Sequence, residues 1–468
     1  MDYRIEKDSL GEVKVPANRY WGAQTQRAVE NFSVSGRPLP PEMTWAAATI
    51  KKAAAMVHRE LGLLEESIAG AICAAADRVI AGELADNFVV DIYQAGAGTS
   101  FNMNVNEVIA NLAEESLGGR PGAYKMVSPN DHVNMAQSTN DVVPSAIRLA
   151  CLKVSGALVE AVSVLAKAFS DRAEAFREII TTGRTHLQDA VPITLGQEFG
   201  GYAHTMTKCS RDLRVHFNRA GILGLGGSAA GTGLNTHPEY QGRIVGTLRE
   251  LTGFDLSADS NLFAAMASMD VFVDISSRLK LTAVEMLRIA NDLRLLASGP
   301  TSGLNEIGLP ALQPGSSIMP GKVNPVIPEM TAMVAFQVIG HDTCVTLAAQ
   351  AGQLQLNVMM PVIAYNLLES AKLLTNAART LADKCVSGIE ANVKRCREYF
   401  EKSLGTATVL NPVLGYLNTA EVVKESMRTG RSLKEIILER KILSPEELER
   451  ALDPQSLTRP GILKKDKK

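Results

Sequence analysis

Four short stretches of this 468-residue chain carry side chains that could do chemistry. The densest is Gly315-Ser316-Ser317-Ile318-Met319-Pro320-Gly321-Lys322-Val323-Asn324-Pro325. Its glycines and prolines exclude a continuous helix or strand and predict a loop. Between those breakers stand two hydroxyls, one ammonium and one amide, with no carboxylate. Such a set can bind an anion and leave one hydroxyl for reaction. Three polar knots precede it: Gly98-Thr99-Ser100-Phe101-Asn102, Ser138-Thr139-Asn140-Asp141 and Gly183-Arg184-Thr185-His186-Leu187-Gln188-Asp189. Together they supply hydroxyls, amides, His186 and Lys322, with neither a Cys/His metal cluster nor a G-x-S-x-G elbow. This inventory suits a small dianion held by neutral donors and one cation. It also suits removal of a proton next to a carboxylate, which yields a doubly charged aci-carboxylate carbanion. Lys322 and Asn324 are the evident donors for that charge. Ser316 fits the base, because a hydroxyl among backbone N–H groups and positive charge becomes acidic.

The elements that must position these groups read as helices. Thr99 and Ser100 follow a glycine turn as N-cap residues of a helix, and Asn102, Asn104 and Asn106 alternate as a polar wall inside it. Capping alone would explain one Gly-Thr-Ser, whereas three short polar side chains at 138–140 exceed what a cap requires. Residues 145–182 follow Pro144 as a long helix, and the Thr185–His186 knot is expected as a loop between two helical stretches. Glycine-rich residues 224–233 are not a dinucleotide fingerprint, since no strand run precedes them. No Gly or Pro interrupts Asp259 to Ser298, so one helix of about 60 Å is expected there at 1.5 Å per residue. Further helices are expected over about 326–351 and 361–400. Helices of this length need partners of similar length, which predicts a mainly α fold with a bundle of about five central helices. Residues 1–40 read as an irregular arm pinned by Tyr20 and Trp21. Ser444-Pro445-Glu446-Glu447 opens a short late helix, and Lys464-Lys465-Asp466-Lys467-Lys468 is expected to be disordered. The expected domains are 1–139, 140–394 and 395–468.

Composition narrows the class. Lys and Arg number 48 against 50 Asp and Glu, a net charge of −2, which disfavours nucleic acid or an anionic membrane surface as partner. The six cysteines are scattered, as in a reduced cytoplasmic protein. The charged start Met1-Asp2-Tyr3-Arg4 has no apolar core of a signal peptide, and no uninterrupted run of 18 apolar residues predicts a membrane span.

The four blocks, in this order, resemble those of the fumarase/aspartase superfamily, and the likeness runs over roughly residues 4–460. Gly98-Thr99-Ser100-Phe101-Asn102-Met103-Asn104 is similar to the G-T-S-x-N-M-N of the aspartase (aspartate ammonia-lyase) branch, where fumarases carry G-T-Q-S-N-M-N. Ser138-Thr139-Asn140-Asp141 and Gln353-Leu354-Gln355-Leu356-Asn357-Val358-Met359 also resemble that branch. The resemblance implies elimination of ammonia from L-aspartate to give fumarate, with Ser316, His186 and Lys322 as the catalytic set. Ser316 would take the Cβ proton, and Thr99, Ser138, Thr139 and Ser317 would bind the β-carboxylate. Ser100 would join the substrate-binding set, where with Thr139 it favours the amine over a hydroxyl. Lys322 and Asn324 would hold the α-carboxylate, Asn140, Thr185 and His186 would surround the amine, and Glu329 would support the histidine. Nothing in the residues requires a cofactor or a metal, and the resemblance implies a homotetramer whose sites each draw blocks from three subunits. Thr301 stands where the superfamily usually has arginine, and Met360 replaces an aspartase glutamate. A class II fumarase, acting on malate and fumarate, is the alternative. A non-catalytic structural relative ranks last, because every expected site group is present.

Overall fold

A computed structural model describes residues 2–462 of the chain. The lysine-rich tail lies outside the described residues. The fold is mainly α, and its longest elements are five helices: Thr139–Ala175, Leu195–Asn218, Asp270–Leu296, Val326–Gln350 and Met360–Lys384. The strands are short and pair only two at a time among the described residues.

Where sequence and structure differ, local chemistry gives the reason. The N-terminal arm is not irregular: Tyr3–Asp8 and Gly11–Pro16 form an antiparallel hairpin, followed by the helix Ala23–Asn31. Gly11 turns it at φ 118°, a value that disfavours a side chain. Trp21 is buried and the Tyr20 hydroxyl donates to Glu115 at 2.8 Å, so both aromatics do pin the arm. The expected helix over 259–298 is broken at Ser268, which is extended, and Ser268 Oγ accepts the N–H of Asp270 where the chain restarts. Serine offers the backbone a side-chain partner outside the helix, so it can end one without Gly or Pro. The helix expected to reach 182 stops at Ala175, and the β-branched run from Ile179 enters a strand. That expected over 361–400 stops at Lys384 and resumes at Val393, where Asn392 caps the new start. The expected start at Ser444 is present as a full capping box with Glu447.

The chain divides into two compact units. The first comprises Met1–Glu160, Cys209–Val284 and Val334–Asn376. Its interior holds Met43, Ile50, Ile72, Ile109, Ile147 and Phe272, all fully buried. The second comprises Ala161–Lys208, Glu285–Met333 and Ala377–Lys468. In it Phe169, Phe176, Phe199 and Tyr202 pack edge to face, with Phe176 and Phe199 at 5.2 Å between centroids. A separate apolar cluster around Leu410, Val422, Ile436, Ile437 and Leu448 holds the short helices near the C-terminus. Two helices, Thr139–Ala175 and Val326–Gln350, are long and apolar enough on average to cross a membrane. Half of the most apolar window of the first is nevertheless buried within the fold.

Candidate active site

The candidate residues divide between the units: Thr99, Ser100, Ser138, Thr139 and Asn140 lie in the first, the others in the second. In the first, Thr99 opens the helix Thr99–Ser116 but does not cap it. Gly98, left-handed at φ 82°, precedes the helix, and Gln94 supplies the missing acceptor by taking the N–H of Phe101 at 2.8 Å. The exposed Thr99 hydroxyl instead donates to Gly96 O at 3.3 Å. Asn102, Asn104 and Asn106 are all buried, as the polar wall requires. Asn102 and Asn106 both donate to Asn134 Oδ1, at 3.2 and 3.1 Å, which ties this helix to the segment that leads into Ser138.

Ser138, Thr139 and Asn140 are half-buried at the start of Thr139–Ala175. Ser138 Oγ accepts the N–H of Asn140 at 3.2 Å, and Asp141 Oδ1 accepts the N–H of Ser138 at 3.0 Å. The other oxygen of this fully buried carboxylate accepts the N–H groups of Gly226 and Ser228, each at 3.1 Å. Asn140 Nδ2 donates to Ala229 O at 2.8 Å. The glycine-rich segment is therefore docked against the Ser138 block. A strand does precede it, contrary to expectation, but Ile222–Leu223 is only two residues long. Burial pushes the Asp141 carboxyl up to about 6, against the opposing pull of its three N–H donors.

In the second unit, Thr185 and His186 sit on a β-hairpin rather than an irregular loop between helices. Ile180–Thr185 pairs with Gln188–Thr194, and Thr185 faces Gln188 across the turn. His186 and Leu187 form that turn with φ 56° and 58°, as a two-residue hairpin of the I′ class requires. Non-glycine residues carry backbone strain at these angles, and the imidazole stands at an exposed tip.

The loop from Gly315 is closed on itself. Gly315 N–H donates to Lys322 O at 2.9 Å, and Asn324 Nδ2 donates to Gly315 O at 2.5 Å. Ser316 Oγ, half-buried inside this ring, accepts the N–H groups of Ile318 and Met319 at 3.3 and 3.0 Å. Two N–H donors aimed at one hydroxyl oxygen favour its alkoxide form. Ser317 and Lys322 are exposed, while Glu329 lies in the first turn of Val326–Gln350. Among the described residues no hydrogen bond joins Glu329 to His186. Nor do the described residues contain a cluster of His, Cys, Asp and Glu able to hold a metal ion.

Sequence reading missed Gln94, Asp141 and the docking of the glycine-rich segment. Asp141 was visible beside Ser138, but nothing local distinguishes a buried carboxylate from a solvated one in a first helical turn.

Residues 11–340 match the model of a lyase family, and residues 407–459 match that of the fumarase C C-terminus. An aspartate ammonia-lyase of Bacillus subtilis is 46% identical, over 99% of this chain and 98% of its own. A class II fumarate hydratase of Xylella fastidiosa is 49% identical, over 98% of this chain and 96% of its own. The solved structure of a fumarate lyase:delta crystallin from Brucella melitensis, bound to cobalt, superposes with a TM-score of 0.95. It is 48% identical and the match covers 98% of this chain and all of that one.

Proposed function

The chain belongs to the lyase family that contains the aspartate ammonia-lyases and class II fumarases, and we propose that it is itself an aspartate ammonia-lyase. The observation that carries the chemistry is the pair of backbone N–H groups on Ser316 Oγ. Ser316, as alkoxide, takes the proton from Cβ of L-aspartate, and the electron pair of the C–H bond passes into the β-carboxylate. Thr99, Ser138, Thr139 and Ser317 receive that growing charge through their hydroxyls, and Ser100 lines the same substrate site. Lys322 and Asn324 hold the α-carboxylate. When the pair returns to form the Cα–Cβ double bond, the Cα–N bond breaks and ammonia leaves past Asn140, Thr185 and His186.

Class II fumarase remains the second reading because a fumarate hydratase is as similar in sequence as the aspartases. The Ser100 and Thr139 spellings favour the amine substrate. Substitution tests the mechanism: Ser316→Ala abolishes turnover while leaving substrate affinity nearly intact. Lys322→Ala damages both, since its charge serves ground and transition state alike. Near-normal turnover in Ser316→Ala would move the base elsewhere, with His186 next in line.

We further propose a soluble cytoplasmic homotetramer with composite sites. In the first unit Val215, Leu281, Val284, Phe336 and Leu347 are exposed apolar residues on the long helices, and in the second Val164, Leu295 and Met333 are. Apolar surface of this kind on long helices is what a helix-to-helix subunit contact covers.

A further inference from the structure

Lys51 is fully buried in the helix Pro41–Glu60, and its ammonium meets three neutral oxygens. Nζ donates to Asn102 Oδ1, Asn134 Oδ1 and Gln137 Oε1, each at 2.9 Å. All three N–H groups of the ammonium are thereby used, and no carboxylate takes one. Burial brings this amine down to about 7, with the charge of Asp141 acting in the opposite sense. A buried ammonium loses more hydration than neutral oxygens return, and removing it would leave its three acceptors short of a donor. What the three acceptors carry therefore defines its role.

The acceptors locate that role. Asn102 stands one turn after Thr99 and Ser100, and Gln137 immediately precedes Ser138. Each acceptor is fixed from its other end as well. Asn134 Nδ2 donates to Gln137 O at 3.2 Å, and Gln137 Nε2 donates to Val133 O and Met135 O at 3.0 and 3.2 Å. One point charge thus orients the amides on which two separate backbone segments close. Beyond Gln137, Asp141 holds Ser138 from the opposite side.

We infer that Lys51 is a positioning residue for the dianion site: through Asn102, Asn134 and Gln137 it fixes the register of the Thr99–Ser100 turn against the Ser138–Thr139–Asn140 turn. The inference rests on the assignment of those hydroxyls to substrate carboxylate. It contrasts with the adjacent Lys52, whose partner is the exposed Asp77 at 2.7 Å and which touches neither turn.

The experiment compares the wild type with Lys51→Met, Gln137→Leu and Lys52→Met, each purified as the folded full-length enzyme. Steady-state kinetics are measured with L-aspartate and with L-malate, and fumarate affinity is measured by calorimetry. Lys51→Met should raise KM and weaken fumarate binding about tenfold, the scale of roughly one lost hydrogen bond, with a smaller fall in kcat. Gln137→Leu, which removes one acceptor and keeps the charge, should give a smaller shift in the same direction. Lys52→Met should change neither constant. Should Lys51→Met fail to fold, Gln137→Leu alone decides. Normal KM and normal fumarate affinity in the folded variants would overturn the inference, whatever happens to their melting temperatures. A wild type that acts on malate and not on aspartate would instead overturn the ammonia-lyase reading, and the same KM comparison with malate would still test Lys51.

Discussion

Arg184 donates from Nη1 to the carboxylate of Glu306 at 2.6 Å, a pair in which the glutamate is completely buried and the two residues lie 122 positions apart. The Thr181 hydroxyl bonds the other carboxylate oxygen, and the Arg184 guanidinium lies over the Tyr399 ring, 5.0 Å from its centroid. Arg184 immediately precedes Thr185 and His186, so this pair anchors the strand that carries the hairpin tip. Glu306→Ala leaves a largely buried guanidinium uncompensated, a loss of about 3–5 kcal/mol in comparable buried pairs. Denaturant unfolding should register that loss, and turnover should fall with it. Unchanged stability in Glu306→Ala would show that the pair does not anchor the strand.

The loop from Gly315 makes a sharper demand on one residue. A Cβ at position 315 would stand 2.2 Å from Lys322 O and 2.7 Å from the Asn324 amide nitrogen. Gly315→Ala must therefore open the ring that presents Ser316, while the cores of both units stay untouched. Misplacing a reacting group by about 1 Å can cost roughly 10²-fold in rate, so kcat should drop on that scale while the thermal midpoint stays near that of the wild type. An alanine variant with native turnover would mean that the closed ring is irrelevant to catalysis.

A third prediction concerns acid. His58 is fully buried, stacked on Tyr240 with ring centroids 4.8 Å apart, and neither ring nitrogen has a protein partner. Burial lowers this imidazole from 6.5 to about 4. Between those values the unfolded chain binds the proton and the folded chain does not, so His58 makes stability fall as pH falls through the window. A phenylalanine at this position keeps the stack without the titration. The loss of melting temperature between pH 6.5 and 5 should accordingly be smaller in His58→Phe than in the wild type, and equal losses would exclude His58 as a source of acid sensitivity.

The long helices were legible because their apolar residues recur at three, four and seven positions over more than twenty residues, a signal that local exceptions do not erase. The breaks were not legible, since Ser268 turns extended between two helices and its hydroxyl meets the first N–H of the second, with no Gly or Pro to mark the place. The hairpin around His186 was hidden for a different reason. Thr181, Thr182, Gly183, Arg184 and Thr185 show no apolar alternation, and Thr181 and Arg184 are held by Glu306 and Tyr399 far along the chain. Of the candidate site, the side chains were readable from residue type and spacing, and the groups behind them were not. Lys51 looks like half of a solvated Lys-Lys pair, and only the fold distinguishes it from Lys52.

Assembly is the fourth prediction. Light scattering should give the mass of four chains, and mixing Ser316→Ala with Thr185→Val subunits should restore part of the activity that each variant lacks. Some sites in a hybrid would then receive both intact blocks. An active monomer, or verified subunit exchange with no recovery, would contradict composite sites.

The central claim is that the amine of L-aspartate, and not the hydroxyl of L-malate, is the group this site expels. Both substrates present two carboxylates, so the anion-binding residues cannot discriminate between them, and selectivity falls to the surroundings of the leaving group. A site built to hydrogen-bond one such group can reject an analogue lacking it by about 10⁴-fold. The decisive measurement is the formation of fumarate and ammonia by the purified protein, followed in parallel with L-aspartate and L-malate as sole substrates. Equimolar fumarate and ammonia from aspartate, with little fumarate from malate, is the predicted result. Rapid fumarate formation from malate with no ammonia from aspartate would contradict it and identify a fumarase.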